Sequence, residues 1–145
     1  SKHKDGCDSI LLPIDVSFQS RQKVGKAVEV AKLFSAKVRV VGIIDNDTEE
    51  DENKVLAYSN QAWRYVKSQG VEASVRTIRG TDMPTLVVKA ATETEADLIV
   101  IMSEDKSGII EMIKGTRAER IINNSDIPVL SIRPRLIGSQ KASFW

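Results

Sequence analysis

The sequence predicts an α/β protein: a doubly wound sheet of five parallel strands flanked by four helices. Two observations carry that prediction. Short apolar or β-branched runs alternate along the chain with stretches whose apolar residues recur at helical spacing. The most apolar run, Asp97–Met102 (DLIVIM), has the composition of a strand buried on both faces, as central strands of parallel sheets are. Each crossover through a helix returns the next strand to the same direction.

The elements follow in order. Ile10–Asp15 (ILLPID) is a short apolar strand, and residues 20–34 then place Val24, Ala27, Val28, Ala31 and Phe34 on one helix face. Lys37–Ile44 (KVRVVGII) is β-branched and strand-like. Asn53–Gly70 sets Val55, Ala62, Trp63 and Val66 on one face before Gly70 closes the helix, so Trp63 reads as packing and not as an aromatic platform. Glu72–Ile78 alternates as a strand does, after which Asp82 caps a helix over residues 83–96 with Pro84 in its first turn. Thr116 with Glu119 three residues later fits a capping box, and Ala118, Ile121 and Ile122 supply the apolar face of a helix ending near Asn124. Ile127–Pro134 is the fifth strand, with Pro128 tolerated at its start. The acidic run Asp45–Glu52 lacks the glycine and terminal glutamate of a calcium loop and reads as a solvated, mobile connection.

Length and composition exclude whole classes of function. A chain of 145 residues suits one domain, with a core over about residues 8–134 and loosely ordered tails at 1–7 and 135–145. With 21 basic against 20 acidic residues there is no electrostatic footprint for nucleic acid or an anionic membrane. No apolar run is long enough to span a bilayer, and the polar start is no secretory signal, so a cytoplasmic protein is expected. Cys7 is the only cysteine and His3 the only histidine, which leaves no internal disulfide, no metal site and no histidine within the fold for a Ser-His-Asp or Cys-His centre. No Walker pattern ending in G-K-[S/T] is present. A receiver domain shares the winding and stays a rival, although it would need paired acids after the first strand and an acid just after the third, whereas LPIDVS carries one acid and Asp82 falls late.

In doubly wound sheets, ligands bind beyond the carboxyl ends of the strands where the winding reverses. The turns after Asp15, Ile44 and Met102 are therefore the places to look. The runs ILLPIDVS, VRVVGIID and ADLIVIMSEDKSGIIEMIKGTRAERIINNSDIPVLSIRP together resemble the universal stress protein family, over roughly residues 9–134. The resemblance implies a Rossmann-like sheet in the order 3-2-1-4-5, as in the adenine nucleotide alpha hydrolase-like proteins. It also implies a homodimer through the last strand, at Val129, Leu130, Ser131 and Ile132. The nucleotide site it implies would comprise Pro13 and Asp15 at the end of the first strand, Ile43 where backbone meets adenine, the turn residues Met102, Ser103 and Asp105, and Gly115 with Thr116 at a helix start.

The family pattern is a turn G-x-x-G, nine residues, then G-[S/T]. Here Gly115-Thr116 and the final Pro128-Val129-Leu130 are kept, but Met102 and Asp105 replace both glycines of the turn. Glycine lets backbone amides approach a polyphosphate with no side chain between. Met102 fills that approach, and Asp105 with Glu104 brings negative charge to where the outer phosphates would lie. At ~4 Å and an effective dielectric of about 20, one such repulsion is on the order of 4 kcal/mol. Gly115 and Thr116 would still offer free amides to an anion, although a helix cap alone accounts for them, as an Asx cap does for Asp15. The expectation is a non-enzymatic stress-response module with impaired or absent ATP binding and no required cofactor, acting through protein partners. The alternative is a protein that binds ATP or AMP in an altered site and at most turns it over slowly. The resemblance also leaves open that the chain is one half of a tandem pair.

Overall fold

The computed structural model describes residues 6–17, 21–103 and 117–133. Five strands, β1 (Ser9–Ile14), β2 (Lys37–Ile44), β3 (Ala73–Arg79), β4 (Leu98–Met102) and β5 (Val129–Ile132), form one sheet in the order β3-β2-β1-β4-β5. All four neighbouring pairs are parallel. The four helices between them are α1 (Val24–Phe34), α2 (Glu49–Ser68), α3 (Met83–Glu93) and α4 (Arg117–Asn124). This is the doubly wound architecture and strand order expected from the sequence.

Alternation along the strands splits the core into two layers. Ile10, Leu12 and Ile14 of β1 join Val38, Val40 and Val100 beneath α1 and α2. Leu11, Val41, Ile43, Ile99 and Ile101 join Val87, Ala90, Ala91, Ala118 and Ile121 of α3 and α4 on the other face. Every residue of β1 is buried, as its near-continuous apolar run requires of a strand covered on both sides. Gly42 lets α2 lie close on β2, because a Cβ there would meet Ser59 Oγ, with Val55 Cγ1 at 2.8 Å and Thr77 Cγ2 at 3.0 Å. Asp97 closes the amino end of the sheet by accepting from the amides of Asp8 (2.8 Å) and Ser9 (3.0 Å).

Several expectations are corrected at the helix ends. The acidic run is no loop beyond Thr48: that residue caps α2 by accepting from the Asp51 amide at 3.1 Å, and Glu49, Glu50, Asp51 and Glu52 form the first turn. Four carboxylates there are favoured by the positive end of the helix dipole. Phe34 is 50 % exposed and Ile122 47 % exposed, so neither belongs to the buried face assigned to it. The buried stripes are Val24, Ala27, Val28 and Ala31 in α1 and Ala118 and Ile121 in α4. Helix α3 ends at Glu93, three residues early, because Glu95 adopts a left-handed φ of 54°. Its start is as expected, with Asp82 accepting from the Thr85 amide and Pro84 in the first turn. Trp63 packs on the α2 side of the core and donates its indole N–H to the Ala73 carbonyl at 3.2 Å. Thr116 of the capping box and residues 1–5 and 134–145 lie outside the described residues, while Cys7 packs against the core.

Candidate functional site

Winding reverses between β1 and β4, and the carboxyl ends of those strands open into a cavity of about 210 Å³. Its described walls come from the end of β1 (Pro13, Ile14, Asp15), from Ile43 of β2, from Met102 and Ser103 at the end of β4, and from Lys23, Met83 and Arg117. Sequence reasoning placed Pro13, Asp15, Ile43, Met102 and Ser103 in one site, and the sheet brings those five together. Asp105, Gly115 and Thr116 fall outside the described residues. Ser103 is fixed by its amide, which donates to the Ile132 carbonyl at 2.8 Å and so ties the rim of the cavity to β5.

Asp15 is buried, 9 % exposed, and both its oxygens are used. Oδ1 accepts from the Ser17 amide and from Ser17 Oγ, each at 2.8 Å, the Asx turn considered from sequence. Oδ2 faces the Arg117 guanidinium, 3.5 Å away, and the same guanidinium lies 3.9 Å from Asp45 Oδ2. One arginine from the first residue of α4 therefore joins the ends of β1 and β2. One turn later Arg120 makes a two-pronged pair with Asp82, at 3.1 and 2.8 Å, so α4 is pinned to the start of α3 as well. That pair and the Thr85 hydrogen bonds lower the Asp82 carboxyl to about 2.

Lys23 is the other charged residue on the wall, and it is 4 % exposed. It occupies the N-cap position of α1 and makes no capping bond there. Burial lowers its amine to about 8, with the Asp15 charge opposing the fall. Neither Lys23 nor Arg117 was singled out from sequence. A signal existed for Lys23, because it stands four residues before Ala27 and eight before Ala31 on the buried stripe of α1. For Arg117 there was none, since its partners Asp15 and Asp45 lie about a hundred and about seventy residues earlier in the chain.

Among the described residues no group of three His, Cys, Asp or Glu side chains is placed to hold a metal ion, and no helix is long and apolar enough to cross a membrane. The arrangement suits recognition: a small, partly apolar cleft with one carboxylate and two cations on its walls.

Comparison with known proteins agrees with the architecture. A universal stress protein of Methanocaldococcus jannaschii is 28 % identical over 138 residues, covering 86 % of this chain and 81 % of its own. Among solved structures, a universal stress protein in complex with cAMP superposes with a TM-score of 0.73 at 21 % identity, covering 89 % of this chain and 98 % of that one. The universal stress protein from Archaeoglobus fulgidus in complex with dAMP gives a TM-score of 0.68 at 24 % identity, covering 87 % and 97 %. At these identities the two structures speak for the Rossmann-like fold alone. The model of the universal stress protein family matches residues 7–133, nearly the whole described fold, and the chain therefore belongs to the universal stress protein family.

Proposed function

We propose that this chain is a non-enzymatic stress-response module, homodimeric through β5, whose nucleotide cleft is shut against ATP by its own side chains. The observation that carries the reading is the Arg117 bridge between Asp15 and Asp45. A nucleoside reaching for Asp15 must first displace a half-exposed guanidinium from an aspartate that is itself buried. Met102 on the cavity wall supports the same reading, because it stands where a phosphate-cradling turn needs bare backbone. The cavity is also below the roughly 300–1,000 Å³ typical of sites that enclose a drug-sized ligand.

The test is adenosine binding to protein stripped of co-purified ligand, wild type against Arg117→Ala. Removing the guanidinium frees Asp15 Oδ2 and should tighten adenosine at least tenfold. Equal affinities would show that Arg117 does not close the cleft. A second reading, a monophosphate binder, is supported by the relatives whose structures hold cAMP and dAMP. It needs the same cleft to open for a smaller anionic ligand than ATP.

A further inference from the structure

We infer that Lys23 is an anion anchor, a ligand-contacting residue that fits this cavity to a compact phosphate group, free or carried as a phosphomonoester. The inference rests on reading the cavity as a ligand site, but not on the exclusion of ATP.

Lys23 lines the cavity, yet among the described residues no hydrogen bond or ion pair engages its amine. Asp15 acts on it only as a more distant charge, being already occupied by Ser17 and Arg117. A buried ammonium with unused N–H groups is costly to keep in place. The position compounds that cost, because an N-cap normally carries a small polar side chain and the dipole of α1 disfavours a cation there. Other basic groups nearby have their own partners: Arg21 stacks on the Tyr58 ring at 3.9 Å, and Arg117 is shared by two aspartates. Among the charged residues on the described walls, Lys23 is the one that combines a burial cost with capacity to spare.

An anion entering the cavity removes that cost. A lysine is a compact point charge with three donors, suited to the several oxygens of a phosphate more than to the planar two of a carboxylate. Arg117 at the rim adds positive potential without having to leave Asp45. Ser17 and Ser103 bring polar groups to the same walls, and the remaining described lining, such as Ile43, Met83 and Ile121, is apolar and keeps the local dielectric low. The charged groups on the described walls are Asp15, Lys23 and Arg117 alone. The site therefore has a fixed carboxylate on one side, a spare buried cation on the other, and room for one small charged group.

The experiment is calorimetric titration of inorganic phosphate, AMP and adenosine into ligand-stripped full chain, comparing wild type with Lys23→Met and Lys23→Gln. Wild type should bind AMP, inorganic phosphate or both, and each variant should lose at least tenfold for the phosphate-bearing probes with adenosine unchanged. Binding of phosphate alone would identify the free ion, and preference for AMP the phosphomonoester. Wild-type protein that binds neither at millimolar concentration overturns the inference, as do variants that bind them equally well. ATP in a fourth arm separates the two proposals: tight ATP binding that is weakened in both variants removes the closed cleft but keeps the anchor, whereas ATP excluded and AMP indifferent to Lys23 does the reverse.

Discussion

Lys23→Met should make the fold more stable at neutral pH, which a substitution at a merely exposed lysine would not do. In the folded chain the Lys23 amine lies at about 8, against 10.5 for the ordinary group, mainly because burial disfavours its charge. A fall of about 2.5 units at 1.36 kcal/mol each amounts to roughly 3 kcal/mol of destabilisation while the amine stays charged. The sign follows from proton binding. Below about 8 both folded and unfolded chains carry the charge, so the full cost is present. Between about 8 and 10.5 the folded amine loses its proton first, and the cost fades as pH rises. Methionine fills nearly the same volume with no charge, and Asp15 keeps both Ser17 and Arg117 as partners. Urea unfolding at pH 7 should therefore show a gain of about 3 kcal/mol, a midpoint shift on the order of 1–3 M, that shrinks sharply by pH 10. No gain at pH 7, or the same gain at both pH values, would refute the burial of a charged amine at this position.

Three further outcomes follow from the packing and charge of the fold. Gly42→Ala drives a methyl group into Ser59, Val55 and Thr77 and should cost about 1–3 kcal/mol in denaturant unfolding; a neutral result would mean that α2 does not rest on β2 as described. Asp82, held at about 2 by Arg120 and Thr85, supplies stability that is present above its ordinary value of 3.8 and lost as pH falls through about 2. Asp82→Asn should therefore lower stability at pH 7 and flatten the acid limb of an unfolding profile between those values; an unchanged limb would show that the α3–α4 clasp contributes nothing. The carbonyls of Pro128, just before β5, and of Ile132, at its end, accept from the amides of Ile99 and Ser103, so by strand alternation the Ser131 N–H faces the open edge. If the chain pairs through β5 as proposed, Ser131→Pro should leave the sheet intact and convert dimer to monomer in sedimentation analysis; a dimer that persists in the variant would place the interface elsewhere.

Much of the architecture could be read from local pattern because local pattern and burial agree along most of this chain. Lys37–Ile44 has the same limits in sequence and structure, since a β-branched run bounded by a helix end and an acidic turn leaves the backbone little choice. Asp82 and Pro84 likewise announce the start of α3 through chemistry that only a helix start uses. Where a residue type has two meanings the reading fails: Glu49–Glu52 looks like a solvated charge run, yet Thr48 and the helix dipole turn it into the first turn of α2.

The site was legible only in outline. Pro13, Asp15, Ile43, Met102 and Ser103 are strand-end residues, so once the strands and the reversal of winding are known their convergence follows. Lys23 and Arg117 are different in kind. The charge of Lys23 reads as a surface residue and only its place on the apolar stripe of α1 hints at burial, whereas the meeting of Arg117 with Asp15 and Asp45 is made by the crossovers, not by any spacing along the chain.

The account rests on a cleft in which side chains occupy the place where a polyphosphate would lie, and titration of ATP into ligand-stripped wild-type protein, with and without Mg²⁺, tests this most directly. It predicts no saturable binding below millimolar ATP in either condition. Micromolar affinity for ATP that is abolished by Asp15→Ala would contradict it.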